Sequence, residues 1–323
     1  MGLRASRSGL SETHPVWSNS SILEFPSGRR SWGGASRDVA NRRMEVASGE
    51  LVERVAMLSR TAPLKGSGPT VRAGRRAYAV GDVHGRLDLL DDLLRRIEAD
   101  NAYRPHARVT IVFLGDLIDR GPESAQVVER LRRYRPNFAK TVFLMGNHEE
   151  VLLRILSGET SLLADWLRFG GAECARSYGI DPKQLETLGS ASALKLLRQA
   201  MPKEHAKFLA SFVDTASFGS YLFVHAGIRP GVPLSHQQPQ DLRWIRLPFL
   251  DDETDHGCVV VHGHTITEAV DERENRIGVD TGAYRTGVLT ALGVEADERW
   301  FLQTGSAEVS QDEGRCVAKY QHA

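Results

Sequence analysis

The stretch Ala77-Tyr78-Ala79-Val80-Gly81-Asp82-Val83-His84-Gly85-Arg86 decides how the chain is read. An apolar run ends in Gly-Asp-x-His-Gly, and Leu87, Leu89, Leu90, Leu93, Leu94 and Ile97 then place an apolar stripe on one helical face. That order predicts a strand, a tight loop and a helix. The loop sets a carboxylate and an imidazole two residues apart at a strand's carboxyl end, where open α/β sheets place their ligands. Aspartate oxygen and imidazole nitrogen together suit a borderline or hard divalent metal. Asp-x-His alone occurs by chance on many surfaces, so matching ligands have to arrive after later strands.

They arrive. Val109-Thr110-Ile111-Val112-Phe113-Leu114 is a continuous run suited to a strand buried on both faces, and it ends in Gly115-Asp116-Leu117-Ile118-Asp119-Arg120-Gly121. Thr141-Val142-Phe143-Leu144-Met145 ends in Gly146-Asn147-His148-Glu149. A helix follows each, the first with Ser124 as its cap and Val127, Val128 and Leu131 inward, the second carrying Val151, Leu152, Ile155 and Leu156. Three strand ends thus present polar ligands at intervals of about 30 residues, the size of one βαβ unit. Further on, Tyr221-Leu222-Phe223-Val224 runs into His225-Ala226-Gly227, and Cys258-Val259-Val260-Val261 into His262-Gly263-His264-Thr265. Of the last pair, His264 is read as the ligand and His262 as its neighbour. Lone histidines such as His205, His236 and His256 read as ordinary hydrogen-bonding groups, and the acidic run at 251–255 as a solvated loop.

The expected fold class is α/β in four layers: two mixed β-sheets forming a sandwich flanked by helices. The leucine- and aromatic-rich stretch at 157–218 reads as a helical insertion covering the site. The segments at 276–280, 287–292 and 300–302 read as an antiparallel meander, placed in a second sheet against the first. The catalytic domain is expected over 71–305. Residues 1–70, rich in Ser, Gly and Arg, read as a disordered arm with a possible short helix at 44–58, and 306–323 as a frayed tail.

Composition excludes several classes. The 323 residues carry 41 basic and 41 acidic side chains, so bulk attraction to nucleic acid or an anionic membrane is not expected. No stretch approaches the ~20 apolar residues of a membrane span. Cys174, Cys258 and Cys316 are odd in number and widely spaced, which fits reduced thiols in a cytoplasmic protein. A monomer is expected.

Collected, the strand-end residues are Asp82, His84, Asp116, Asn147, His225 and His264. Two carboxylates, an amide oxygen and three imidazoles exceed what one metal takes with positions left open. Two ions about 3.5–4 Å apart, bridged by a carboxylate, would use them all, acidifying a water and clamping a phosphoryl group for in-line attack.

The joint motifs Gly81-Asp82-Val83-His84-Gly85, Gly115-Asp116-Leu117-Ile118-Asp119-Arg120-Gly121 and Gly146-Asn147-His148-Glu149 resemble those of the phosphoprotein phosphatase family within the calcineurin-like metallophosphoesterases. His225-Ala226-Gly227 and Gly263-His264-Thr265 extend the match in order, over about residues 76–304. The resemblance is to the compact bacterial type: the Ser-Ala-Pro-Asn-Tyr motif of eukaryotic members is absent, and Gly278-Val279-Asp280-Thr281-Gly282-Ala283 stands there instead.

The resemblance implies a first metal on Asp82, His84 and Asp116, and a second on Asp116, Asn147, His225 and His264. It implies His148 as general acid with Asp119 as its charge partner, and Arg120, Arg246 and Asn147 as binders of the substrate phosphate, with Arg243 close enough in sequence to compete with Arg246. The implied activity is hydrolysis of phosphate monoesters by a metal-held hydroxide, on phosphoserine and phosphothreonine proteins first, with symmetric cleavage of diadenosine tetraphosphate or another small phosphoester as the alternative. Manganese is the first expectation for the metals, with iron or zinc open, since mixed nitrogen and oxygen ligation does not discriminate among them.

Overall fold

The computed structural model describes residues 68–305. The expectations for the arm, including the possible helix at 44–58, and for the tail at 306–323 lie outside the described residues, apart from Gly68, Pro69 and Thr70.

Strands β1 (Arg75–Val80), β2 (Arg108–Phe113) and β3 (Ala139–Phe143) pair in parallel. Helices α1 (Leu87–Tyr103) and α2 (Ser124–Arg132) make the crossovers, and α3 (Asn147–Ser157) leaves the end of β3. The second sheet holds β4 (Thr215–Phe218), β5 (Tyr221–Val224), β6 (Val259–His262), β7 (Asp271–Glu272) and β8 (Arg276–Gly278) in the order β4-β5-β6-β8-β7. There β5, β6 and β8 run parallel, with β4 and β7 as antiparallel edges. Each sheet therefore has a core of three parallel strands whose carboxyl ends can deliver side chains to one place.

Alternation along β1 shows how the layers form. Ala77 and Ala79 face the second sheet with Val112, Phe223, Val261 and Ile277, while Tyr78 and Val80 face the helices with Leu90, Ile111 and Phe113. A third apolar layer lies on the far side of the second sheet, where Leu222, Val224 and Val260 meet Leu242 of α9 (Pro239–Trp244) and Ile245 just after it. Strands covered on both faces read as unbroken apolar runs, and that is why the strand signal was strong. Full burial of each such side chain stabilises the fold by about 1.5–3 kcal/mol.

The expected meander is corrected. Strand β8 stays in the second sheet, but β9 (Thr290–Glu295) and β10 (Glu298–Gln303) form a hairpin that joins the first sheet, antiparallel to β1, in the order β10-β9-β1-β2-β3. Trp300 explains the placement. Its ring meets Tyr78 edge-on at 6.0 Å, and its N–H and the Tyr78 hydroxyl both donate to Asp100 on α1, at 3.1 and 2.6 Å. Such partners exist only on the helix side of the first sheet.

The helical stretch is also shorter than 157–218. It comprises α4 (Leu163–Trp166), a π turn (Leu167–Gly171), α5 (Ala172–Ser177), α6 (Pro182–Thr187), α7 (Ser190–Ala200) and α8 (Lys203–Leu209), and β4 has begun by Thr215. The polar, alternating Thr-Ala-Ser-Phe of β4 is an edge strand, which carries too little apolar signal to be distinguished from loop.

Candidate metal centre

The strand-end loops are conformationally strained. Six non-glycine residues among those described have positive φ, and five of them, His84, Asp116, Asp119, Arg120 and His264, belong to these loops. Backbone in such sparsely populated regions persists where the surroundings over-determine it, commonly at functional sites. One carboxylate does much of that here. Glu149 is fully buried and accepts from the backbone N–H groups of Asp116 (2.8 Å), Leu117 (2.8 Å), Ile118 (3.4 Å) and Gly146 (3.1 Å). Burial and the adjacent Asp116 charge push its pKa up to about 8, against the pull of the N–H donors. Gly146 lies so close that a Cβ there would stand 2.2 Å from Asp116 Oδ1, so no larger residue fits.

Asp116 is the hub. His225 Nε2 lies 3.4 Å from its Oδ1, and His84 Nε2 and His148 Nε2 lie 3.6 and 3.9 Å from its Oδ2. Burial alone would raise the Asp116 pKa, but the surrounding histidines outweigh it and hold the carboxyl well below the usual range. Burial lowers the pKa of His84, His225 and His264, which keeps these rings neutral and their lone pairs available. The tautomers agree. Nδ1 of His84 donates to the Ile118 carbonyl and Nδ1 of His225 to the Leu114 carbonyl, both at 2.8 Å, leaving each Nε2 bare. This is the outer hydrogen bond that orients a metal-ligating imidazole.

The donor set fits divalent metal ions. Bare Nε2 of His225 faces Asn147 Oδ1 at 3.0 Å, two acceptors that repel unless a cation lies against both. His264 presents Nδ1 to the same oxygen at 2.9 Å and leaves a buried Nε2 without a partner. Two groups have ligand atoms within 4.8 Å of one another: Asp116, His225 and His264, and His84, Asp116 and His148. Asp82 sits beside the cluster, its carboxylate accepting from the His264 backbone N–H at 3.0 and 3.2 Å, and burial together with Asp280 and Asp116 raises its pKa. The six expected ligands therefore converge, and His148 lies nearer the hub than the separation of their roles implied.

His148 and Asp119 meet at 2.7 Å through Nδ1. Asp119 is also held by the Trp166 indole N–H, at 3.0 and 3.2 Å from its two oxygens, which is what the helical insertion contributes. Arg120 is fixed from two sides. Its N–H donates to the Gly170 carbonyl at 2.9 Å, and its guanidinium lies 3.0 Å from His84 Nε2 and 5.0 Å from the centre of the Tyr284 ring. Tyr284, on α10 (Ala283–Thr286), also meets the His84 ring edge-on at 5.4 Å.

Arg246 is exposed at the mouth. Crowding by protein and the charge of Arg120 lower its pKa, and Asp116, Asp280 and Asp82 act in the opposite sense. Arg243, its sequence neighbour, is engaged elsewhere, with Asp214 at 2.7 Å and Glu150 at 3.4 Å. Trp244 likewise donates to Glu150, at 3.0 Å. His262 packs against Phe249 with its Nδ1 3.0 Å from the Gly263 carbonyl.

A family model for calcineurin-like phosphoesterases matches residues 75–295. The chain belongs to that family. It is a hydrolase of phosphoester bonds and its cluster fits divalent metals. Over 233 residues it is 27% identical to the asymmetrical bis(5'-nucleosyl)-tetraphosphatase of Anoxybacillus flavithermus, covering 66% of this chain and 88% of the relative. It is 24% identical to the symmetrical bis(5'-nucleosyl)-tetraphosphatase of Neisseria gonorrhoeae, covering 68% and 93%. Among solved structures, a putative diadenosine tetraphosphatase matches at 20% identity over 73% of this chain and 97% of that one, with a TM-score of 0.48. A protein serine/threonine phosphatase from Saccharomyces cerevisiae matches at 15% identity over 75% and 85%, with a TM-score of 0.44. No helix among the described residues is long and apolar enough to cross a membrane.

Sequence reasoning gave no role to Glu149, Trp166, Tyr284 or Asp280. Glu149 had a signal, since a glutamate three residues into a helix is a known partner for N-terminal N–H groups. The other three act across long sequence separations, and nothing local marks them.

Proposed function

We propose that the protein hydrolyses bis(5'-nucleosyl) tetraphosphates, using two divalent cations of the manganese type on Asp82, His84, Asp116, Asn147, His225 and His264. The reading placed first on sequence grounds, a protein serine/threonine phosphatase, gives way to the second. One observation of the site supports this: a second arginine, the exposed Arg246, faces the buried histidine–carboxylate cluster beside which Arg120 lies 3.0 Å from His84 Nε2, and it feels the charges of Arg120, Asp116, Asp280 and Asp82. A polyphosphate chain, with several anionic groups in a row, balances two crowded guanidinium groups better than one phosphoserine does. The tetraphosphatases that resemble this chain over most of their own length support the same substrate class.

When bound, the cations supply Lewis-acid polarisation of phosphoryl oxygens and a nucleophilic water at neutral pH. The remaining chemistry belongs to the side chains. Arg120 and Arg246 hold non-bridging oxygens, the first in a direction set by Gly170 and Tyr284. His148 holds a proton at Nε2 for the leaving oxygen, and Asp119 fixes its ring through Nδ1. Trp166 keeps Asp119 from turning away, and Glu149 holds the backbone that carries Asp116.

The test compares kcat/KM for diadenosine tetraphosphate, a phosphothreonine peptide and p-nitrophenyl phosphate with Mn²⁺, using Asp116→Asn as the blank. The expected result is a preference for the dinucleotide. Chromatography of the products distinguishes two ADP from AMP plus ATP. A higher kcat/KM on the phosphopeptide would restore the protein-phosphatase reading.

A further inference from the structure

Six parallel strand ends point at the cluster, and five of them account for all the ligands named so far. In the first sheet β1 delivers Asp82 and His84, β2 Asp116, and β3 Asn147. In the second, β5 delivers His225 and β6 His264. The sixth, β8, ends at Gly278, and two residues later stands Asp280.

Asp280 is 1% exposed. Its Oδ1 accepts from the Gly282 N–H at 2.9 Å, but its Oδ2 is buried and no N–H group reaches it. The groups that act on it are the charges of Arg120 and Asp116 and the carboxyl of Asp82, which lies within hydrogen-bonding range, so two buried carboxyls adjoin at the centre. The backbone brings the two loops into contact. A Cβ at Gly81 would stand 2.6 Å from the Val279 carbonyl, so the residues that follow, Asp82 and Asp280, come off adjoining turns. A buried carboxylate oxygen with no donor is costly, and a structure keeps it where a ligand satisfies it.

The ligand assignment shows where one is needed. On the proposed assignment a cation held by Asp116, Asn147, His225 and His264 would have four protein ligands, whereas one held by Asp82, His84 and Asp116 would have three. Manganese-type ions on oxygen-rich sites take close to six. Waters must fill the difference, and a water in that shell needs an acceptor for its proton.

We propose that Asp280 is that acceptor: its Oδ2 takes a hydrogen bond from a water in the shell of the cation held by Asp82, His84 and Asp116. The proposal rests on the two-cation reading above. Asp280 is then a positioning residue acting through a water, and second-shell partners of this kind affect metal affinity by 10- to 100-fold.

Calorimetric titration of the full-length, metal-stripped protein with Mn²⁺ separates the possibilities. Fewer than two equivalents bound by the wild type would remove the premise, and the proposal with it. With two equivalents bound, Asp280→Asn is expected to weaken one binding step 10- to 100-fold and leave the other unchanged. The asparagine oxygen can still accept from the Gly282 N–H, so a purely structural Asp280 predicts no change in either step. Asp280→Ser serves as a second variant, because its hydroxyl cannot reach the cation's shell, and it should show the same selective loss. Unchanged affinities in whichever variant keeps the wild-type melting temperature in the absence of metal would overturn the assignment. Equal weakening of both steps would do so as well.

Discussion

The two sheets bring their strand ends to one centre but build those ends differently. In the first sheet each loop is a dense string: glycine, ligand, then further polar residues engaged within a few positions. Asp116, Asp119 and Arg120 all lie in left-handed backbone within one loop, and Glu149 ties that loop to the start of α3 through four N–H groups. In the second sheet each end offers one functional side chain: His225, His264 or Asp280. The difference separates two tasks. On the proposed function the first half has to hold ligands, a proton-bearing imidazole and a phosphate-binding guanidinium in fixed relation, so it needs an internal scaffold. The strand ends of the second half would each add a single group to the ligand shell, for which a strand end against a rigid sheet suffices, and Arg246 and Tyr284 come from the segments that follow.

The largest expected effect tests that scaffold. Glu149→Ala leaves four buried N–H groups without an acceptor, each worth about 1–3 kcal/mol when unsatisfied. Even with partial rescue by water, urea unfolding should show a loss of about 3 kcal/mol or more. Asp280→Asn, a change at an isolated strand end, should cost far less. If the two variants are equally stable, the contrast between the halves does not hold.

The next effect concerns chemistry. With His148 as proton donor in the first half, His148→Asn should slow diadenosine tetraphosphate cleavage by about 10²–10⁴-fold. The loss on p-nitrophenyl phosphate should be much smaller, because that leaving group departs without a proton. Equal losses on both substrates would assign His148 to the metals, beside Asp116, and would move the proton donor elsewhere.

The smallest effect probes Tyr284, where the segment after β8 meets His84 and Arg120 of the first sheet's loops. Tyr284→Ala removes the ring against which the Arg120 guanidinium lies, an interaction worth about 0.5–2 kcal/mol. Inhibition by inorganic phosphate should weaken by a corresponding ~2- to 30-fold, with Tyr284→Phe near wild type. A phosphate inhibition constant unmoved in the alanine variant would show that Gly170 alone sets the direction of Arg120.

Residues 77–86, 109–121 and 141–149 were legible in the sequence because each motif is local: an apolar run covered on both faces, then glycine and ligand with no gap. The spacing of about one βαβ unit then implied that the loops converge, and the centre around Asp116 bears that out. What the chain alone could not decide was every matter settled across long sequence separations. Nothing local in strand β9 says which sheet it joins; its ladder with β1 and the Trp300–Tyr78–Asp100 contact place its hairpin in the first sheet. Arg243 and Arg246 are alike in sequence until Asp214 and Glu150 engage one of them. Asp280 reads in sequence as part of a meander strand, and only the fold buries it beside Asp82. The sequence by itself determined which side chains can bind metal and phosphate, because residue chemistry is local. The tertiary structure decided which of them meet, because burial and partnership depend on residues from about thirty to two hundred positions away.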